Sequence, residues 1–180
     1  ASPESGATCA GTEDDDVWFR FTALGTSHIV SLNSVAGSST SMNFQVFSGA
    51  CGSMTSIGCS TTGIAPTLTL TGLTGGNTYH VRVYTNTGTG GQNTTFNVCV
   101  VTPPPNDDCA GAVVVTVNAG QTCTAQTAGS VYLATASPES GATCAGTEDD
   151  DVWFRFTALG TSHIVSLNSV AGSSTSMNFQ

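Results

Sequence analysis

The chain of 180 residues contains no lysine, three arginines and twelve acidic residues, so its formal net charge is −9. Nucleic acids and anionic membranes bind basic surfaces, and this composition excludes both as expected partners. We also predict no membrane span, because the longest apolar run, near Ala112–Val115, is far shorter than a bilayer requires.

A long internal repeat sets the organisation of the chain. Residues 1–45 recur letter for letter as residues 136–180, and the start positions 1 and 136 give a period of 135 residues. The repeat predicts a tandem array. Residues 1–102 form most of one module, residues 103–105 form a linker, and residues 106–180 form the first part of the next identical module.

Short segments of alternating hydrophobicity follow one another from Val17 onwards. Such segments, bounded by turns rich in Gly, Ser, Thr and Asn, are typical of β-strands. We predict strands in these places: Val17–Phe21, Ser27–Leu32, Met42–Phe47, Ser56–Cys59, Thr67–Thr71, Thr78–Tyr84 and Thr95–Val100. Eight to ten strands per module are expected, in an all-β sandwich of jelly-roll or immunoglobulin-like type.

Three consecutive prolines, Pro103–Pro105, come next. Proline cannot donate to a β-ladder and holds an extended conformation, so this segment is predicted to be a short, stiff linker. The following module begins at Asn106 and continues through predicted strands at Val113–Val117 and Ser130–Leu133.

Seven cysteines without CxxC spacing favour disulfides over a zinc site, and hence an oxidising, extracellular location. Cys9 and Cys144 are the same repeat position, so each module carries six cysteines. We predict that Cys51 bonds to Cys59 and Cys123 to Cys144. Cys99 and Cys109 are either bonded to each other across the prolines or paired each within its own module, and we favour the second arrangement.

Acidic residues are concentrated in a few places, and none lies between Val17 and Asn106. One interpretation is a solvated loop that keeps a lysine-free protein soluble. The other is a Ca²⁺ site, because Ca²⁺ takes six to eight oxygen ligands from carboxylates, amides and backbone. The candidate ligands are Asn106, Asp107, Asp108, Glu148, Asp149, Asp150 and Asp151, with Glu13, Asp14, Asp15 and Asp16 as the repeat copy of the last four.

Several segments together resemble a known family. PPPNDDCAGA, DDDVWFRFTA, FQVFSGACGSMTSIGC, GNTYHVRVYT and TTFNVCV are similar to repeated β-sandwich modules of secreted and cell-surface Bacteroidota proteins, which look related to pre-peptidase C-terminal domains. The resemblance covers essentially the whole period. It implies a jelly-roll-like sandwich without catalytic activity. It also implies that calcium ligands come from Asn106, Asp107 and the acid run Glu148–Asp151.

Other side chains are weaker candidates. His28 and His80 lie in alternating strands without an acid nearby in sequence, so we predict no enzyme activity. Trp18 and its copy Trp153 are candidates for stacking on a sugar ring, although packing is the favoured interpretation. Asn93 begins the sequon Asn93–Thr95 and is a candidate glycan site.

The repeat, the cysteines and the composition together predict a structural module of an extracellular fibre or surface filament. Identical modules are the expected partners, joined head to tail through a Ca²⁺-stabilised junction. The alternative is an adhesin stalk or carbohydrate-binding repeat of a larger secreted protein.

Overall fold

The computed structural model describes residues 9–12, 14–60, 63–137, 146 and 149–180. The chain divides into two compact units, Ala1–Thr102 and Pro103–Gln180, called unit 1 and unit 2 below. The division falls between Thr102 and the triproline segment. The boundaries of the predicted modules stay a prediction.

Unit 1 has seven strands and, among its described residues, no α-helix. The strands are β1 (Val17–Thr22), β2 (His28–Ala36), β3 (Met42–Ser48), β4 (Thr55–Cys59), β5 (Thr67–Leu70), β6 (Thr78–Thr85) and β7 (Thr95–Val101). One sheet has the strand order β1-β6-β3-β4 and the other β5-β2-β7. All pairings within both sheets are antiparallel.

The two sheets enclose one core. Alternate residues of β2, β3 and β6 point inwards, so Val30, Leu32, Phe44, Val46 and Val83 are completely buried. The rings of Phe19 on β1 and Phe96 on β7 meet edge to face between the sheets, with 5.9 Å between their centres. The predicted all-β sandwich is confirmed, and it forms because period-two alternation gives each sheet an apolar face.

The strand predictions hold along unit 1, with one extension. β2 continues past Leu32 to Ala36, and its pairing with β7 shifts register between Asn33 and Ala36. Ser34 has a φ of 54° at this bulge. An extra residue in one strand interrupts the alternation of hydrophobicity. The predicted strand therefore ended at Leu32, before the observed strand does.

Unit 2 is much less regular. It contains a short 3₁₀ turn, Cys109–Gly111, and the strands β8 (Val113–Val114) and β9 (Phe154–Arg155), which pair in parallel. The expected strand at Ser130–Leu133 is wrong: the segment contains a turn, and Leu133 has a φ of 63°. A strand needs a neighbour to bond its backbone, and none of the described strands pairs with this segment.

The predicted Cys51–Cys59 disulfide is also wrong. Cys59 bonds to Cys9, with 5.9 Å between the Cα atoms, while Cys51 is exposed in the β3–β4 turn. In the β3–β4 hairpin Ser48 pairs with Thr55 and Gln45 with Cys59. Four residues of extended chain from Thr55 place Cys59 roughly 13 Å from the turn, too far for a bond to Cys51.

The other predicted pairs are not formed among the described residues. Cys99, Cys109 and Cys123 carry no disulfide there. Cys144, the predicted partner of Cys123, lies outside the described residues. The described residues include no helix with the length and hydrophobicity of a membrane span.

Candidate functional site at the acidic end of the sandwich

The acid run leads into β1 at one end of unit 1, where β6 ends. Asp15 is half-buried, and its carboxylate accepts hydrogen bonds from the backbone N–H of Thr85 at 3.1 Å and from its hydroxyl at 2.7 Å. Asp16 accepts from the indole N–H of Trp18 at 2.9 Å. Asp14 is exposed, and Glu13 lies outside the described residues. Two of these predicted ligands are therefore already bonded within the protein.

The loop between β6 and β7, residues 86–94, faces the acid run. The hydroxyl of Thr12 donates to the backbone oxygen of Thr87 at 3.0 Å. Gln92 donates through Nε2 to Thr89 O at 2.7 Å, and its Oε1 accepts from Ser38 Oγ at 2.8 Å. These bonds hold a Gly- and Thr-rich loop in a defined position opposite the carboxylates.

A cavity of about 110 Å³ lies at this end of the sandwich. It is lined by Asp15, Val17, Met42, Val83, Tyr84, Thr85, Gln92, Thr94 and Phe96. Ordinary small-molecule sites enclose about 300–1,000 Å³, so this cavity is small. Its lining combines a carboxylate, an amide and hydroxyl groups with apolar side chains.

The outer face of the four-stranded sheet carries a buried polar layer that the sequence did not reveal. The side chain of Arg82 is 1% exposed, and its Nη2 donates to Gln45 Oε1 at 2.6 Å. Its guanidinium also lies 5.3–5.6 Å from the ring centres of Phe47, Tyr84 and Trp18. An alternating strand normally turns a charged side chain to solvent, so only the tertiary structure shows this burial.

Trp18 belongs to that layer. Its ring lies 5.4 Å from that of Phe47, and the residue is half-buried. In this structure Trp18 therefore packs against Phe47 and Arg82.

In unit 2 the structure brings the predicted entrance residues close to the second acid run. Asn106 is 6% exposed; its Nδ2 donates to Trp153 O, and its backbone oxygen accepts from Trp153 N. Asp107 is 5% exposed and binds the N–H and hydroxyl of Thr135, each at 2.7 Å. Asp15 and Asp107 thus each accept two hydrogen bonds from one threonine, from its backbone N–H and from its hydroxyl.

Ser137 links the entrance segment to the acid run. Its hydroxyl donates to Asp107 O at 2.9 Å and accepts from Trp153 Nε1 at 2.7 Å, while its N–H donates to Asp151 Oδ1 at 2.9 Å. Asp149 and Asp150 are exposed and Asp108 is half-buried, while Glu148 lies outside the described residues. Three hydrogen bonds of Ser137 thus join these segments.

Among the described residues, the predicted calcium ligands do not form a complete set. Within the described residues, no group of three or more His, Cys, Asp or Glu side chains is arranged to hold a metal ion. In Asp15 and in Asp107, each of the two carboxylate oxygens already accepts one hydrogen bond from a single threonine. Calcium binding by the acid runs stays a prediction.

Asn93, the candidate glycan site, is exposed in the loop before β7. Its backbone N–H donates to Ser38 Oγ at 2.9 Å. Glycosylation at this position stays a prediction.

A scan of family models matches the chain twice, over residues 1–98 and 105–178, to a T9SS-associated family described as galactose binding domain-like. The two-sheet sandwich and this match define the class of the protein. The chain belongs to the T9SS-associated galactose-binding-domain-like family. No curated protein and no solved structure matches it.

The family bears on several sequence predictions. It agrees with the resemblance to Bacteroidota surface modules, while kinship with pre-peptidase C-terminal domains stays a prediction. The family and the Cys9–Cys59 disulfide fit a secreted or cell-surface protein. Its description is that of a non-catalytic binding domain, and the lack of enzyme activity in this chain stays a prediction.

Proposed function

We propose that this chain is part of an extracellular fibre or surface filament built from identical β-sandwich modules joined head to tail. The observation that carries the proposal is the recurrence of residues 1–45 as residues 136–180 without one change. The two successive family matches, separated only by residues 99–104, support it.

Exact identity suits a polymer in which every module presents the same surface to the next. A head-to-tail contact joins two different surfaces of the same module. Unless the rotation between modules closes a ring, such contacts extend without limit and produce filaments. The extracellular location rests on the disulfide, because such bonds persist in oxidising compartments.

Electron microscopy of the purified protein tests the proposal. We expect filaments with beads of about 35–40 Å, the diameter of a compact module of this length. Particles that stay monodisperse at all concentrations, in sedimentation as well as on the grid, would contradict it.

We propose in addition that Ca²⁺ stabilises the junction through the acid runs and the entrance segment. Asp14 and Asp149 are exposed, so their carboxylates are accessible. Extracellular modules bind Ca²⁺ with a Kd of about 10⁻⁴–10⁻³ M. Isothermal titration with CaCl₂, with MgCl₂ as the control, should show millimolar or tighter binding that Asp149→Asn weakens. Equal heats of binding for both ions, or filaments unchanged by a chelator, would contradict the proposal that Ca²⁺ stabilises the junction.

A carbohydrate-binding repeat is the alternative function. It is favoured by the family description and by the cavity that carries Asp15, Gln92 and Thr94 above Phe96. A glycan array followed by titration of the best sugar tests it. Gln92→Ala should weaken binding at least about tenfold, and Gln121→Ala, an exposed glutamine of unit 2, should not. An array without any signal would count against this alternative.

A further inference from the structure

The Cys9–Cys59 disulfide closes about half of unit 1 into a covalent ring. Its two cysteines have a sequence separation of 50 residues. Strands β1, β2 and β3 lie wholly between them, and β4 ends at Cys59. The predicted Cys51–Cys59 bond would have closed only 8 residues, the difference between positions 51 and 59. We call the Cys9–Cys59 bond the clasp and residues 10–58 the ring.

The start of the ring is packed closely onto the outer face of the four-stranded sheet. The backbone oxygen of Ala10 accepts hydrogen bonds from Nδ2 of Asn43 at 2.7 Å and from the hydroxyl of Tyr84 at 3.2 Å. Gly11 has a φ of 99°, and a Cβ at this position would lie 2.9 Å from Nδ2 of Asn43. The chain therefore approaches the sheet more closely than a side chain would permit, and the clasp belongs to a well-packed part of unit 1.

The three strands of unit 1 that lie outside the ring all pair with strands inside it. β5 and β7 pair with β2, and β6 pairs with β1 and β3. Among the described strands of unit 1, no pairing joins two strands outside the ring. Withdrawal of β5, β6 and β7 therefore breaks four of the five pairings in the two sheets and leaves only that of β3 with β4.

Tension along the chain bypasses the ring. Load that arrives from the N-terminal side reaches Cys9 and passes through the S–S bond to Cys59, because this bond is covalent whereas the strand pairings are hydrogen-bonded. The load then continues through β5, β6 and β7 to Thr102. Between positions 59 and 102 the chain lengthens by at most 43 residues, whereas positions 9 and 102 would give 93 residues without the bond.

We propose that the clasp shields the module from force: under tension unit 1 releases only residues 60–102, while the ring stays closed and limits the extension. The released chain then measures about 155 Å at about 3.6 Å per residue, against about 335 Å without the clasp. The inference deepens the proposed fibre and rests on it, because a head-to-tail polymer transmits load through its modules in series. The shielding itself is a property of one chain and is tested without filaments.

The ring also favours recovery when the tension falls. β5, β6 and β7 then return to partner strands that one covalent bond still holds within a loop. Closing that loop has already removed much of the conformational entropy that refolding would otherwise lose. A fibre with this clasp is therefore extensible over a limited range and regains its length.

Single-molecule force spectroscopy of the full chain tests the clasp. The chain is held through peptide tags at its two ends, because a thiol linkage would react with its exposed cysteines. The double variant Cys9→Ser/Cys59→Ser should reach a fully stretched length about 180 Å greater than that of the unchanged chain, which is the contour of 50 residues. Cys51→Ser is the matched control, because it removes a free cysteine within the ring, and it should leave the stretched length unchanged.

The opening of unit 1 gives a second measurement on the unchanged chain alone. Because four of the five pairings break together, we expect one step with a contour gain of about 155 Å, less the folded distance between Cys59 and Thr102. The stretched length of the double variant does not depend on its folding, so the comparison stands even if that variant is unfolded.

Two results would overturn the inference: equal stretched lengths of the unchanged chain and the double variant, or an opening step of the unchanged chain that exceeds 43 residues. Filaments built from chains that stretch as far as the double variant would leave the proposed fibre standing and refute the clasp. Extension limited by the clasp in a protein that forms no filaments would support the shielding of unit 1 and refute the fibre.

Discussion

The two copies of one 45-residue sequence have different structures. In unit 1, Val30 and Phe44 lie in strands and are 0% exposed. Their copies in unit 2, Val165 and Phe179, are 52% and 55% exposed and belong to no strand. Among the residues that the structure describes in the two copies, only Phe19–Arg20 and its copy Phe154–Arg155 lie in strands in both units. Identical local sequence therefore does not suffice to form this sandwich.

The difference lies in the partners. In unit 1, β2 pairs with β5 and β7, and β3 pairs with β4 and β6. All four partner strands lie within residues 55–101, and no copy of them accompanies residues 136–180 in this sequence. A strand without neighbours leaves its backbone to water and its apolar face exposed, so it gains little by forming.

Supplying the missing partners should produce the largest change. We expect that a chain with residues 46–102 appended after Gln180 folds the second copy. The free energy of local opening across residues 163–180 should then rise from near zero to several kcal/mol, measured by amide hydrogen exchange. The same appended segment in shuffled order is the control. Unchanged exchange would show that the two copies differ for a reason other than missing partners.

Truncating the same phenylalanine in each copy should change the free energy of unfolding by different amounts in the two units. Phe44→Ala opens a cavity in the core and should lower the free energy of unfolding by about 3–5 kcal/mol. Phe179→Ala removes an exposed ring and should change it by less than about 0.5 kcal/mol. Denaturant unfolding, followed by the fluorescence of Trp18 and Trp153, measures both. Similar losses would mean that the second copy also has a packed core.

The observed disulfide offers a third comparison, within unit 1. Cys59→Ser opens a loop with a sequence separation of 50 residues and should cost about 4 kcal/mol in the chain-entropy model. Cys51→Ser replaces an exposed thiol in a turn and should be nearly neutral. Thermal unfolding and peptide mapping without reductant check both. A mapped Cys51–Cys59 peptide would restore the pairing that the sequence suggested.

A smaller effect is expected at the acid runs. Asp15→Asn weakens the hydrogen bonds from the N–H and hydroxyl of Thr85, and should lower the free energy of unfolding by about 1–3 kcal/mol. Asp150→Asn, the same change at an exposed residue of unit 2, should have no measurable effect. Chemical denaturation of both variants provides the measurement. Equal stability would show that the Asp15–Thr85 bonds contribute nothing net.

Sequence reasoning succeeded where the signal is local. Thr67–Thr71 alternates strictly and Thr78–Tyr84 alternates over most of its length, and β5 and β6 lie there. It failed at Cys59, whose partner depends on the register of β3 against β4. It also missed Arg82, because burial of this charge requires rings from β1, β3 and β6 to converge on it.

The sequence by itself determined the repeat period of 135 residues, the all-β class and the positions of the acid runs. It also predicted that a new segment begins at Asn106, directly after the prolines. These properties depend on residues adjacent in the chain, whose alternation and composition can be read directly. Only the tertiary structure decided which cysteine bonds to Cys59, which carboxylates accept hydrogen bonds from a threonine, and that the Arg82 side chain is buried. Those outcomes depend on strands that are far apart in sequence and meet only when the sheets assemble.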